Sequence, residues 1–406
     1  MNKERIIDIL TKLTSILIVA YISLFKVLSI SQSVNIMSLV FMFLICLLTF
    51  LKKERFVFPK PIVFLIGFCT FSLLSLLWNP DPRSGYRVCF RTIPLLTVLA
   101  ILVYNFIYQN KNPQIILYSI YGIGVVLTVA MIISYDGLCN LFSLMRAGTR
   151  LGGLVNNEND VGMGLAMAAV VSFYYTIHRR KFWNVIPFVV FTVMTMAAGS
   201  RTSLVILVPG VFLLVLAMLD FSKGHSRKNV LIVAIAVALI VAFFLLMYTV
   251  PAFINFKVRF ESMLTSLTGN GNKDGSTNIR KEMIEVGWQT FKNHPLFGMG
   301  MGSSSLLGGW NSYLHNNYIE LLSSVGIVGF VLYYAAYLIP LWMSLPGIKK
   351  HEGLAIIAIV VNLCWFAAQM GTVSYETKDS YYYLVLLVYV SEDIMKKQKA
   401  DTEQCV

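Results

Sequence analysis

Long apolar runs separated by short polar segments recur along the whole chain. Hydropathy places spans at about 12–30, 34–51, 61–78, 92–108, 113–133, 160–177, 182–199, 202–219, 229–249, 316–345, 353–371 and 379–392. The last run is short, and the tenth is long enough to contain a break or an interfacial helix. The pattern predicts an all-α polytopic membrane protein of about 12 transmembrane helices. Residues 1–249 would hold helices 1–9, and residues 250–315 one large loop. Residues 316–406 would hold helices 10–12 and a tail. Inside the loop, Ile279, Met283, Val286 and Thr290/Phe291 recur at helical spacing after the polar run Asp274–Thr277, which predicts a helix near 278–293. His294-Pro295 ends it. No internal repeat stands out.

Composition agrees. Of 406 residues, 57% are hydrophobic and 13% charged, against about 25% charged in soluble domains. A soluble enzyme with a membrane anchor is excluded. No cleavable signal is expected, because the first apolar run lacks a small-residue cleavage site. The six cysteines (Cys46, Cys69, Cys89, Cys139, Cys364, Cys405) show no CxxC or metal-ligand spacing, and those in or beside spans read as buried small apolar residues.

The net charge of +13 gains meaning once the loops are sorted by side. Lys52, Lys53, Arg55 and Lys60, then Lys111, then Arg179, Arg180 and Lys181, then Lys223, Arg227 and Lys228, then Lys349 and Lys350 fall on one side with both termini. The positive-inside rule makes that side cytoplasmic, an N-in/C-in topology. Segments 79–91, 134–159 and 250–315 then face outward. Arginine contradicts the rule. Eight arginines are outside (Arg83, Arg87, Arg91, Arg146, Arg150, Arg201, Arg259, Arg280) and five inside, while lysine divides five to fourteen the other way. Guanidinium pairs bidentately with phosphate, as an ammonium cannot. The outer arginines therefore point to a phosphate-bearing ligand; headgroup anchoring, with pairing to Asp81, Asp136, Glu158 or Asp160, is the alternative reading. Arg201 stands out, in the short turn Gly199-Ser200-Arg201-Thr202-Ser203, which contains no acidic residue.

General acid–base work at neutral pH falls most often to histidine. His178, His225 and His351 lie in inner loops. Of the outer two, His294 reads as helix punctuation. His315 sits in the amide-rich Ser312-Tyr313-Leu314-His315-Asn316-Asn317-Tyr318, where the large loop enters span ten. No HExxH, DxD or Cys/His cluster occurs, so neither metal nor cofactor is expected.

Several segments taken in order resemble the O-antigen polymerase/O-antigen ligase superfamily. They are Gly199-Ser200-Arg201-Thr202, Asn278-Ile279-Arg280-Lys281-Glu282-Met283, His294-Pro295-Leu296-Phe297-Gly298-Met299-Gly300, Leu314-His315-Asn316-Asn317-Tyr318-Ile319-Glu320 and Gly326-Ile327-Val328-Gly329. Arg150-Leu151-Gly152-Gly153 with Asn156-Asn157-Glu158-Asn159 looks like the segment before the family's sixth span. The likeness covers roughly 145–345. It implies a metal-independent, inverting glycosyltransferase of the bacterial cytoplasmic (inner) membrane, acting on its outer face. Donor and acceptor would be undecaprenyl-pyrophosphate-linked glycans, with membrane lipids around them and a chain-length regulator as a further candidate partner; nucleic acid is not expected. It implies pyrophosphate contacts at Arg201 and Arg280 and a role for His315 at the acceptor hydroxyl. Arg146, Arg150, Asn316 and Arg91 are further candidates for substrate binding. A polymerase of O-antigen or capsular-type repeat units is the preferred reading, on the Asn-Asn-Glu-Asn and His-Asn-Asn-Tyr forms. A ligase to lipid A–core is the alternative, and a transporter of lipid-linked or anionic substrate the alternative from another class.

Overall fold

The computed structural model describes residues 3–28, 32–155, 157–178, 182–219, 226–254, 257–258, 260–262, 265 and 275–404. Asn156, Arg179, Arg180, Lys181, Lys223, His225, Arg259, Lys273, Asp274 and Cys405 lie outside the described residues. The protein is all-α, 81% helical, with no strand among the described residues. In chain order the helices are α1 (Lys3–Leu24), α2 (Gln32–Leu51), α3 (Lys60–Leu74), α4 (Pro82–Arg87), α5 (Ile93–Asn110), α6 (Gln114–Ser134), α7 (Leu138–Arg146), α8 (Glu158–His178), α9 (Val185–Ala198), α10 (Arg201–Met218), α11 (Ser226–Thr249), α12 (Gly275–Asn293), α13 (Asn317–Lys349), α14 (Gly353–Ala368) and α15 (Lys378–Gln404).

Among the described residues seven helices are long and apolar enough to cross a membrane, and four shorter ones are apolar. The outward faces are apolar as well: Phe50, Leu77 and Trp342 are 79%, 83% and 76% exposed. A soluble protein hides such side chains, whereas a hydrocarbon solvent accepts them. Two expectations are corrected. Segment 79–91 is not a loop: Asp81 accepts from the Arg83 amide at 3.1 Å and Pro82 opens α4, which runs through a turn of π-helix (Val88–Thr92) into α5. Cys46 is exposed on α2 rather than buried, and Cys139 is exposed too; Cys89 and Cys364 are buried. A thiol facing lipid is no worse solvated than one in the core, so a span position need not be a buried one.

The helices form two compact units. The first comprises Met1–Leu44, Gln114–Asn272 and His351–Cys364. Its centre is α8, almost wholly buried against α6, α9 and α10. Small residues permit the close approach, as is usual between membrane helices. A Cβ on Gly124 would lie 2.5 Å from the Ala168 Cβ, and one on Gly162 2.8 Å from the Ser200 Cβ.

The second unit comprises Ile45–Pro113, Lys273–Lys350 and Trp365–Val406. Here α13 packs on α3, α12 and α15. Of the two readings of the long tenth span, a break or an interfacial helix, the structure has a break, at Gly326, where φ 61° and ψ −166° interrupt α13. Helical carbonyls and amides freed at a break must find partners. The segment 295–300 supplies them. The amides of Met299 and Gly300 donate to the carbonyls of Ser323 and Ser324, both at 2.8 Å; those of Ile327 and Val328 donate to Pro295 and Leu296 at 2.9 and 3.2 Å. Only glycine tolerates the Gly326 conformation, and a Cβ there would lie 2.4 Å from the Leu296 carbonyl oxygen. Gly326→Ala is expected to cost roughly 2–4 kcal/mol from strain plus clash. Thermal unfolding of the solubilised protein checks this.

Candidate active site

The start of α13 gathers the polar residues of the second unit. Asn316 caps it, its side chain accepting from the amides of Tyr318 (3.0 Å) and Ile319 (3.2 Å). Asn317, fully buried, ties this turn to the segment 369–375. Its Nδ2 donates to the Tyr334 hydroxyl (2.9 Å) and Gln369 Oε1 (3.2 Å), and its Oδ1 accepts from the amides of Ser374 (2.8 Å) and Tyr375 (3.3 Å). His315 lies between the buried residues Leu314 and Asn316, half-buried itself, with φ +53°. The Tyr313 ring is 4.4 Å from its imidazole, centroid to centroid.

Arg280 reaches this turn from α12. Arg280, Met283, Gly287 and Thr290 follow one another at steps of three and four, so they share a helix face. Met283 and Thr290 are buried there. At Gly287 the helices nearly touch: a Cβ would lie 2.5 Å from both Leu314 Cδ1 and Ile319 Cγ2. The contact brings the half-buried Arg280 close enough for its charge to act on His315. Burial first, and then the Arg280 charge, hold the His315 pKa below its ordinary 6.5. The imidazole is neutral at pH 7 and has a lone pair to accept a proton. Gly287→Val would wedge α12 off this turn, and misplacement by about 1 Å can cost on the order of 10²-fold in rate. A transfer assay on the Gly287→Val protein is expected to show a loss of that order.

Beneath the turn lies a buried carboxylate. Glu320 accepts at Oε1 from Ser304 Oγ (2.5 Å) and the Tyr375 hydroxyl (3.4 Å), and at Oε2 from the Leu314 amide (2.8 Å). Ser304 follows the glycine segment, which is pinned by Asn79 Nδ2 donating to the Met301 carbonyl (2.7 Å) and by the Met301 amide donating to Ser75 Oγ (3.0 Å). Next to Tyr375, burial pushes the Glu376 carboxyl above its ordinary range, against the opposing effects of Tyr375 and of Arg87. Arg91 is exposed on the π-helical turn.

In the first unit, Arg201 is the first residue of α10. Ser200 caps that helix, its Oγ accepting from the Ser203 amide at 3.4 Å. Helix N-termini favour anions, and a guanidinium there adds to the attraction. The Leu151 amide donates to the Ala197 carbonyl (3.2 Å), docking the Arg150 segment beside the Arg201 turn. Arg150 is already engaged: Nη1 is 3.4 Å from Glu158 Oε2, and Nη2 donates to Asn159 Oδ1 at 3.1 Å. Arg146 ends α7 and is exposed. The structure thus brings His315, Asn316 and Arg280 together in one unit, while Arg146, Arg150 and Arg201 belong to the other.

Residues 186–334 match the family model described as O-Antigen ligase. The chain carries an O-antigen ligase-type domain. No curated protein matches the chain. The O-antigen ligase-type region includes Arg201, Arg280, His315 and Asn316, and excludes Arg91, Arg146 and Arg150. With the apolar helices, it marks a multi-pass membrane protein that contains a domain of the O-antigen ligase type. Among the described residues no three His, Cys, Asp or Glu side chains are grouped as a metal ion would require. Chemically, the turn of this O-antigen ligase-type domain offers a neutral imidazole as proton acceptor beside a permanent cation. Glu320, Ser304 and Asn317 escaped the sequence reasoning as site residues. The one available signal was an acidic residue just inside a span, where a charge is costly unless used.

Proposed function

We propose that the protein polymerises undecaprenyl-pyrophosphate-linked oligosaccharide repeat units on the outer face of the bacterial cytoplasmic membrane. The observation that carries the reading is His315, half-buried at the start of α13 with the Arg280 charge acting on it, inside the O-antigen ligase-type domain. In the reaction an acceptor hydroxyl oxygen attacks the donor's anomeric carbon from the face opposite the pyrophosphate. The hydroxyl proton passes to His315 as the new C–O bond forms. The anomeric carbon–pyrophosphate bond breaks with inversion, and undecaprenyl pyrophosphate leaves with the electron pair. Arg280 stabilises the charge that develops on the leaving group, a contribution larger in the transition state than in the ground state. The resemblance assigns Arg201 an anion contact too, which its place at the start of α10 supports. Arg150 lies outside the matched residues and is held by Glu158 and Asn159, so Arg150→Ala is expected to cost less activity than Arg201→Ala, which lies inside them, in a side-by-side transfer assay.

A second reading, transfer of the finished glycan to lipid A–core, is favoured by the description of the matching family. Surface glycan from a strain lacking the protein separates the two. Loss of long chains with single repeats still attached supports the polymerase, and loss of all attached glycan supports the ligase. Unchanged surface glycan overturns both.

A further inference from the structure

We infer that Glu320 is the positioning residue for His315, its carboxylate fixing the turn that carries the imidazole. The inference rests on the proposed role of His315. A residue other than glycine at positive φ costs about 1–2 kcal/mol, so the His315 conformation persists only if its flanks are pinned. On one flank Asn316 caps α13. On the other, the Leu314 amide donates to Glu320 Oε2 at 2.8 Å. Glu320 is itself fully buried and anchored at Oε1 by Ser304, four residues after the segment 295–300, and by Tyr375. One carboxylate therefore ties the residue before His315 to Ser304 and Tyr375, which are more distant in sequence. Arg280 on α12 and the Tyr313 ring are the groups that act on the imidazole, so its placement decides how strongly the cation is felt.

This role separates from an acid–base role for Glu320. A glutamine can accept from the Leu314 amide through its carbonyl and donate through its amide to the hydroxyl oxygens of Ser304 and Tyr375. Glu320→Gln should therefore keep the turn, with kcat within about threefold of the parent protein, whereas a leucine of similar size cannot accept from Leu314. Glu320→Leu should lower kcat by on the order of 10²-fold, with KM for the lipid-linked donor little changed. The direct test is an NMR titration of ring-labelled histidine in the full-length protein, with the His315 signal assigned by its loss in His315→Asn. In Glu320→Leu the His315 pKa should rise toward 6.5 as the ring leaves its buried place beside Arg280; in Glu320→Gln it should stay low. If Glu320→Leu fails to reach the membrane, the double variant Ser304→Ala/Tyr375→Phe unanchors the same carboxylate and should move the titration in the same direction. An unmoved titration in the variant that folds overturns the inference, as does a Glu320→Gln protein as damaged as Glu320→Leu. The titration needs no turnover, so a parent protein that transfers no glycan would defeat the proposed function while leaving this test to decide Glu320.

Discussion

Replacing His315 with asparagine is expected to lower glycan transfer by about 10²–10⁴-fold, the usual worth of a positioned general base. Asparagine keeps a polar side chain of modest size and tolerates the positive φ of this position better than most residues, so membrane insertion and fold should be retained. The pH profile of the parent protein carries the same signature. With the His315 pKa depressed, the neutral base is fully present at neutral pH and activity falls only as pH drops through that lowered value. The acid limb therefore lies below pH 6.5. A limb above 6.5 would mean that another group titrates, or that Arg280 does not bear on the imidazole. Initial rates between pH 5 and 8 measure it.

Arg280→Ala has the second large effect. Removing a cation aimed at developing charge typically costs about 10²–10³-fold in kcat. The loss should fall on kcat more than on KM, because the charge on the leaving group grows along the reaction. Arg280→Lys keeps the charge but loses the planar fork, so it should recover only part of the rate. Arg280→Ala also removes the field that lowers the His315 pKa, and the residual activity should show its acid limb moved upward. Steady-state kinetics on both variants across pH measures the two effects together.

Much of this was legible in the sequence, in places where one physical rule dominates. Apolar runs marked the helices because a bilayer demands them. Side-sorting of arginine and lysine kept Arg201 and Arg280 among eight outer arginines, the short acid-free turn drew out Arg201, and the family resemblance gave Arg280 its role; the amide cluster before a span drew out His315. The break at Gly326 was anticipated only as a feature of an over-long run. Val325-Gly326-Ile327-Val328 reads as ordinary apolar helix, and what opens it is the insertion of 295–300, about thirty residues upstream in sequence. Segment 79–91 read as a loop because it is polar; the Asp81 cap and Pro82 start a helix there regardless. Glu320 was opaque for the same reason as the break. In sequence it is a first-turn acid of the kind that complements a helix dipole. Its burial depends on Ser304, Leu314 and Tyr375 converging, and only Leu314 lies nearby in the chain.

His315 and Arg280 are proposed to transfer glycan from a lipid pyrophosphate. Reconstituting the purified protein in lipid vesicles with undecaprenyl-pyrophosphate-linked oligosaccharide, and following glycan length together with released undecaprenyl pyrophosphate, tests it most directly. The parent protein should lengthen the lipid-linked glycan and release one undecaprenyl pyrophosphate per bond formed, while His315→Asn and Arg280→Ala, inserted equally well, should do neither at a comparable rate. Transfer by both variants at the parental rate, or none by the parent protein, would contradict the account.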